Sequence, residues 1–139
     1  MKAEEVFKAG LGALVVYPKW HKNGKDRVFR IRGYELGEEY VSLTDGVIQT
    51  KTHISFIKPI PLTTEELVKL GFEEYDNGDY ILRTNNGSGS YFWFITGISL
   101  LRFMCKTGYM LSGAEIKSMH QLQNLYHSLK GEELQYKND

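Results

Sequence analysis

The sequence predicts an α+β protein: an N-terminal SH3-like small β-barrel, then a small antiparallel sheet covered by a C-terminal helix. Three observations predict it. Five short β-rich runs, separated by tight-turn signals, occupy about fifty residues after the first ten. Two apolar runs, Tyr91 to Thr96 and Leu100 to Cys105, follow a stiff Pro59-Ile60-Pro61 connector. Helical periodicity then appears at Met119, Leu122, Leu125 or Tyr126, and Leu129, with Gly131 as the stop. The expected lobes are residues 1–58, the barrel, and 59–139, the α+β part, forming one compact unit.

Residues 3–9 can make one or two helical turns anchored by Val6 and Phe7, broken by Gly10 and Gly12. Leu14 to Tyr17 is a first strand, and Pro18 is expected to stop it. Asn23-Gly24 is a hairpin signal. Val28 to Tyr34 is a second strand, with Phe29 and Ile31 on one face and Arg30 and Arg32 on the other. Tyr40 to Thr44 is a third strand. Asp45-Gly46 is another turn, Val47 to Thr52 a fourth strand and Ile54 to Ile57 a fifth. The same pattern also fits a strongly bent antiparallel sheet.

The prolines of the connector fix φ and keep the chain extended. Thr63 and Glu66 form a capping box for a helix of about two turns, with Leu67, Val68 and Leu70 expected on its buried side and Gly71 ending it. Asp76 to Asp79 is a turn and Tyr80 to Arg83 a strand. Asn85 to Ser90 is a hairpin loop, and Tyr109 to Leu111 adds a short edge to the second sheet. The last helix is expected to cover that sheet.

Composition excludes several classes. Eighteen aromatic residues exclude a disordered chain, and the zero formal net charge gives no global attraction to nucleic acid or anionic lipid. Cys105 is the one cysteine, which excludes an internal disulfide and fits a reducing compartment. No basic N-terminal region leads into an apolar run, and the most apolar stretch, Tyr91 to Cys105, is too short and polar to span a bilayer. The sequence therefore predicts a cytoplasmic, non-membrane protein.

The candidate binding residues are Trp20, His21, Lys22, Lys25, Arg27, Arg30 and Arg32. Basic and aromatic residues interleaved on a small barrel suit stacking and phosphate contact with a nucleotide or single-stranded nucleic acid. The plainer reading is a solvated hairpin whose charge is balanced by the acidic 63–79 segment. His120 stands beside Gln121, Gln123 and Asn124, either as a polar ligand cluster or, more simply, with Asn124 at i and i+4 as a cap that joins the helix to the preceding strand by hydrogen bonds. His21, His53, His120 and His127 lack metal spacing, and Cys105 reads as core. The glycine-serine loop lacks the Lys-Ser/Thr of a phosphate-binding loop. No catalytic constellation is readable, so neither enzyme activity, a cofactor nor a metal is expected.

Ile57-Lys58-Pro59-Ile60-Pro61-Leu62-Thr63, Gly71-Phe72, His120-Gln121-Leu122-Gln123-Asn124-Leu125-Tyr126 and Gly131-Glu132-Glu133-Leu134 carry a resemblance. The chain resembles a family of small uncharacterised proteins of Bacteroides-type gut bacteria, their prophages and their phages. The match runs nearly end to end and is tightest at the connector and the last helix. Lys130 departs from the family's usual Thr, and Thr64 stands where Glu is commoner. The resemblance implies a phage or prophage context and no mechanism. The expected function is accessory binding through contact with a host or phage protein. The alternatives are a small-ligand or nucleotide binder acting as an anti-defence sponge, or a nucleic-acid-binding module; a homo-oligomer suits the sponge.

Overall fold

The computed structural model describes residues 1–22, 25–35, 37–84 and 89–137; the Asn23-Gly24 turn and the 85–88 part of the second hairpin loop lie outside the described residues. The fold is α+β, with two five-stranded antiparallel sheets. It divides into two compact units: residues 1–61 with 119–133, and residues 62–118 with 134–137.

The first unit opens with helix α1 (Ala3–Ala9), whose Val6 and Ala9 are buried. Strands β1 (Leu14–Lys22), β2 (Lys25–Glu35), β3 (Tyr40–Thr44) and β4 (Gln49–His53) follow as a meander. A short strand, β5 (Lys58–Pro59), returns to pair with β1, giving the order β4-β3-β2-β1-β5. The order ends at β4 and β5, so among the described residues the sheet is open and no barrel closes. Phe29 and Ile31 are fully buried together with Val15, Val41, Leu43 and Ile57, as strand alternation predicts. Each such side chain contributes about 1.5–3 kcal/mol before entropy is counted.

Two strand expectations fail for local reasons. Pro18 does not stop β1; the β1–β2 register shifts between Tyr17 and His21, an irregularity where a missing N–H is tolerated. Ile54 to Ile57 is not a strand either. Ile54–Phe56 form a 3-10 turn because His53 Nδ1 accepts the Ser55 N–H at 3.1 Å and redirects the chain into β5.

The second unit contains helix α2 (Thr64–Lys69) and strands β6 (Glu73–Tyr75), β7 (Asp79–Arg83), β8 (Tyr91–Ile95), β9 (Leu100–Met104) and β10 (Met110–Glu115), paired in sequence order. Thr63 caps α2 by accepting the Glu66 N–H at 3.3 Å. At the other end the Gly71 N–H reaches the Val68 carbonyl and the Phe72 N–H the Leu67 carbonyl, each at 3.0 Å. That is a Schellman stop, and it needs the positive φ of +94° that Gly71 supplies. Leu67 and Leu70 are buried as expected, whereas Val68, expected beside them, is exposed. Strand β6 is fully exposed and charged, which hid it in the sequence.

Helix α3 (Met119–Lys130) buries Met119, Leu122 and Gln123. The sequence placed this helix over the second sheet; its polar side chains instead bond to the first unit, at Gly12 and Leu14. Apolar periodicity marks which side of a helix is buried but not against what. The buried amide of Gln123 decides the matter, since it needs free backbone partners.

Leu122 is 1% exposed. Leu122→Ala is expected to cost about 2–5 kcal/mol. A thermal or urea melt of the variant superimposable on the parent would refute the packing of α3.

Candidate functional site

The backbones of Trp20, His21 and Lys22 lie in β1 and that of Lys25 in β2, with His21 opposite Asp26 and Lys22 opposite Lys25. Their side chains lie outside the described residues. The three arginines of the predicted face are all engaged. Arg27 pairs with Asp45, whose Oδ1 also accepts the Val47 and Ile48 N–H groups at 2.9 and 2.6 Å. Burial pushes the Asp45 carboxyl upward, but those two amides and the Arg27 guanidinium outweigh it and hold it below its ordinary value. Asp45 therefore organises the turn between β3 and β4.

Arg30 and Arg32 do share a face, and both meet Glu133. Arg32 makes a bidentate pair with it at 3.0 Å through each nitrogen, and Arg30 Nη1 lies 3.4 Å from the same carboxylate. Arg30 also donates to the Gly12 carbonyl at 3.1 Å. The Arg32 hydrogen bond is the first cause holding the Glu133 carboxyl below its ordinary value, with Arg30 adding to it and partial burial opposing. Gly12 has φ +86°, which favours glycine, and a Cβ there would stand 2.5 Å from Glu133 Oε2 and so would push that carboxylate from its place beside Arg32.

The same carbonyl accepts the Gln123 Nε2–H at 3.1 Å, while Gln123 Oε1 accepts the Leu14 N–H at 3.1 Å. His120 Nε2 lies 3.1 Å from the Leu14 carbonyl and donates to it. Burial lowers the His120 pKa from its ordinary value; the Leu14 carbonyl and Glu5 only partly oppose this. Each polar group in this cluster is directed at another part of the chain. The helix residues His120 and Gln123 fasten α3 to β1: the histidine does hydrogen-bond within the protein, but with Gln123 rather than Asn124 beside it and to β1 rather than to the preceding strand.

Cys105 is not core. It is partly exposed just past β9, with Sγ 3.1 Å from Thr107 Oγ1, and that hydrogen bond leads the causes that lower its thiol pKa. No group of three or more His, Cys, Asp or Glu poised for a metal occurs among the described residues.

Two features escaped the sequence reading. One is a cavity of about 230 Å³ in the first unit, below the turn between β2 and β3. Val6 of α1, Val41 and Ile54 line its apolar part, and Tyr34, Tyr40, Glu35 and Glu39 its polar part. Tyr34 donates its hydroxyl to the Val6 carbonyl at 3.2 Å, and burial raises its phenol pKa. The two tyrosines and three glutamates between Tyr34 and Tyr40 were the available signal. The other is the exposure of the outer edge of the second sheet: the sequence placed Tyr109 to Leu111 at an edge, but not that Tyr109, Met110 and Leu111 stand 75%, 57% and 60% exposed there. Strand β10 ends the sheet order, and its register shifts between Met110 and Ser112.

Compared with protein-family models, curated proteins and solved structures, the chain matches none.

Because the folded-state pKa of Glu133 is depressed, its stabilising effect is full above the unfolded value, near 4.5, and is lost as pH falls through the folded value. Glu133→Gln is expected to be less stable by about 1 kcal/mol or less at pH 7, as for a partly exposed pair. The gap should close as both proteins are melted at successively lower pH below about 4.5. A gap independent of pH would show that the carboxylate charge contributes nothing.

Proposed function

We propose that this chain is a non-enzymatic accessory binding protein of phage or prophage type, acting in the host cytoplasm through protein–protein contact. The observation that carries this reading is the edge of β10. A terminal strand offers a row of backbone donors and acceptors, and an extended segment of a partner protein satisfies them by adding a strand. Three consecutive large apolar side chains, Tyr109, Met110 and Leu111, stand exposed at that edge. The resemblance of the connector and last helix to phage and prophage proteins supplies the context, and the partner is a host or phage protein. We read the first unit as an SH3-like lobe, supported by a four-strand meander whose fifth strand returns to the first.

A nucleotide or nucleic-acid ligand on the basic hairpin has less support. Arg27, Arg30 and Arg32 each already face a carboxylate that a phosphate would have to displace.

The test is affinity capture from host lysate by the parent chain and by Met110→Glu/Leu111→Lys, which changes only exposed side chains. A defined host or phage protein held by the parent and lost by the variant supports the reading. Equal capture by both removes the β10 edge from the interface. Steep salt-sensitive binding of single-stranded DNA, RNA or a cyclic nucleotide would favour the alternative.

A further inference from the structure

The cavity of the first unit combines an apolar wall with two tyrosines and two glutamates, and the molecule itself shows what such a combination holds. Lys51 makes an ion pair with Glu35 and places its ammonium 5.7 Å from the centre of the Tyr40 ring. Both partners of that lysine also line the cavity. An ammonium group over an aromatic face is attracted by the ring's quadrupole, and a carboxylate beside it adds direct charge attraction. Glu39, the second acid, lies 3.6 Å from His53 Nε2, a contact that is an ion pair only when the imidazole is protonated. With a neutral imidazole, Glu39 has no cation beside it, while Glu35 is paired with Lys51 and the Met1 ammonium is taken up at 2.7 Å by the Ile54 carbonyl.

The geometry points to this cavity as a binding site for a small alkylammonium ion. Its hydrocarbon stem lies against Val6, Val41 and Ile54, and its charged head lies with Glu39, Glu35 and the Tyr40 ring. The volume of about 230 Å³ suits a short amine. Charge selects the occupant: an anion of the same shape would meet two carboxylates, and a neutral ligand would gain neither the ion pair with Glu39 nor the contact of a cation with the Tyr40 ring. Lys51 is an internal competitor, since it holds two of the groups that the ligand's head would use. This site is independent of the β10 edge.

The test is an NMR titration of the full chain with n-butylammonium, with butyrate and n-butanol as the anionic and neutral matches. The expected result is saturable shifts at Val6, Val41, Ile54 and Tyr40 with Kd in about the millimolar range, as for so small a ligand. Butyrate should give none and butanol markedly weaker ones. Glu39→Gln and Tyr40→Ala should each weaken butylammonium binding by about two- to five-fold. Lys51→Met should tighten it, which a purely structural lysine would not do. Nα-acetyl-lysinamide separates the sources of the amine: binding of butylammonium alone assigns the cavity to free amines, and binding of both extends it to lysine side chains. The inference is overturned by the absence of shifts with butylammonium, or by equal binding of butanol or butyrate.

Discussion

The structure of the first unit depends on one side chain, Gln123. Strand β1 has β2 along one edge, but along the other it has only the two residues of β5, one of them a proline without an N–H. The Leu14 N–H and carbonyl at the start of that edge would be stranded, and the Gly12 carbonyl would keep only the Arg30 guanidinium. Gln123 accepts from the Leu14 N–H and donates to the Gly12 carbonyl, and His120 donates to the Leu14 carbonyl. Helix α3 thus supplies, with side chains, what a neighbouring strand would supply with its backbone. Leaving a buried donor or acceptor unmet costs about 1–3 kcal/mol, a large share of the about 5–15 kcal/mol that holds a typical domain.

This arrangement sets the rest. The contacts join residues 109 and 111 positions apart, so the first unit is discontinuous and waits for residues 62–118 before it can close. Once α3 is docked, its glycine stop leads into Glu133, which lands between Arg30 and Arg32. One of the two positive charges on this face of β2 is thereby balanced at close range by the segment that follows the helix.

Much of the fold was legible because it is local. The Phe29/Ile31 alternation, the Asp45-Gly46 turn, the Thr63 cap and the Gly71 stop each act within a few residues, so spacing reveals them. Pro18 misled because a proline forbids a hydrogen bond only where one is made, and the register irregularity of β1 removes that demand. The docking of α3 was not legible. Its apolar stripe looks the same whichever sheet lies beneath, and Gln123 reads as a surface amide until the free edge of β1 is seen. The candidate binding face was partly legible: Arg30 and Arg32 were placed on one side of β2, but the carboxylate that occupies them lies about a hundred residues away. The cavity beside Tyr40 depends on α1, β3 and the turn after β4 meeting, and no single stretch of sequence holds it.

The most direct measurement is native-state hydrogen exchange at the Leu14 amide, in the parent and in Gln123→Leu. If the amide of Gln123 completes the edge of β1, the Leu14 N–H of the parent exchanges only through opening of the first unit, as slowly as the Phe29 and Ile31 amides. In Gln123→Leu it should exchange much faster while those two remain protected. A Leu14 amide that exchanges quickly in the parent, or equally slowly in both proteins, would contradict the account.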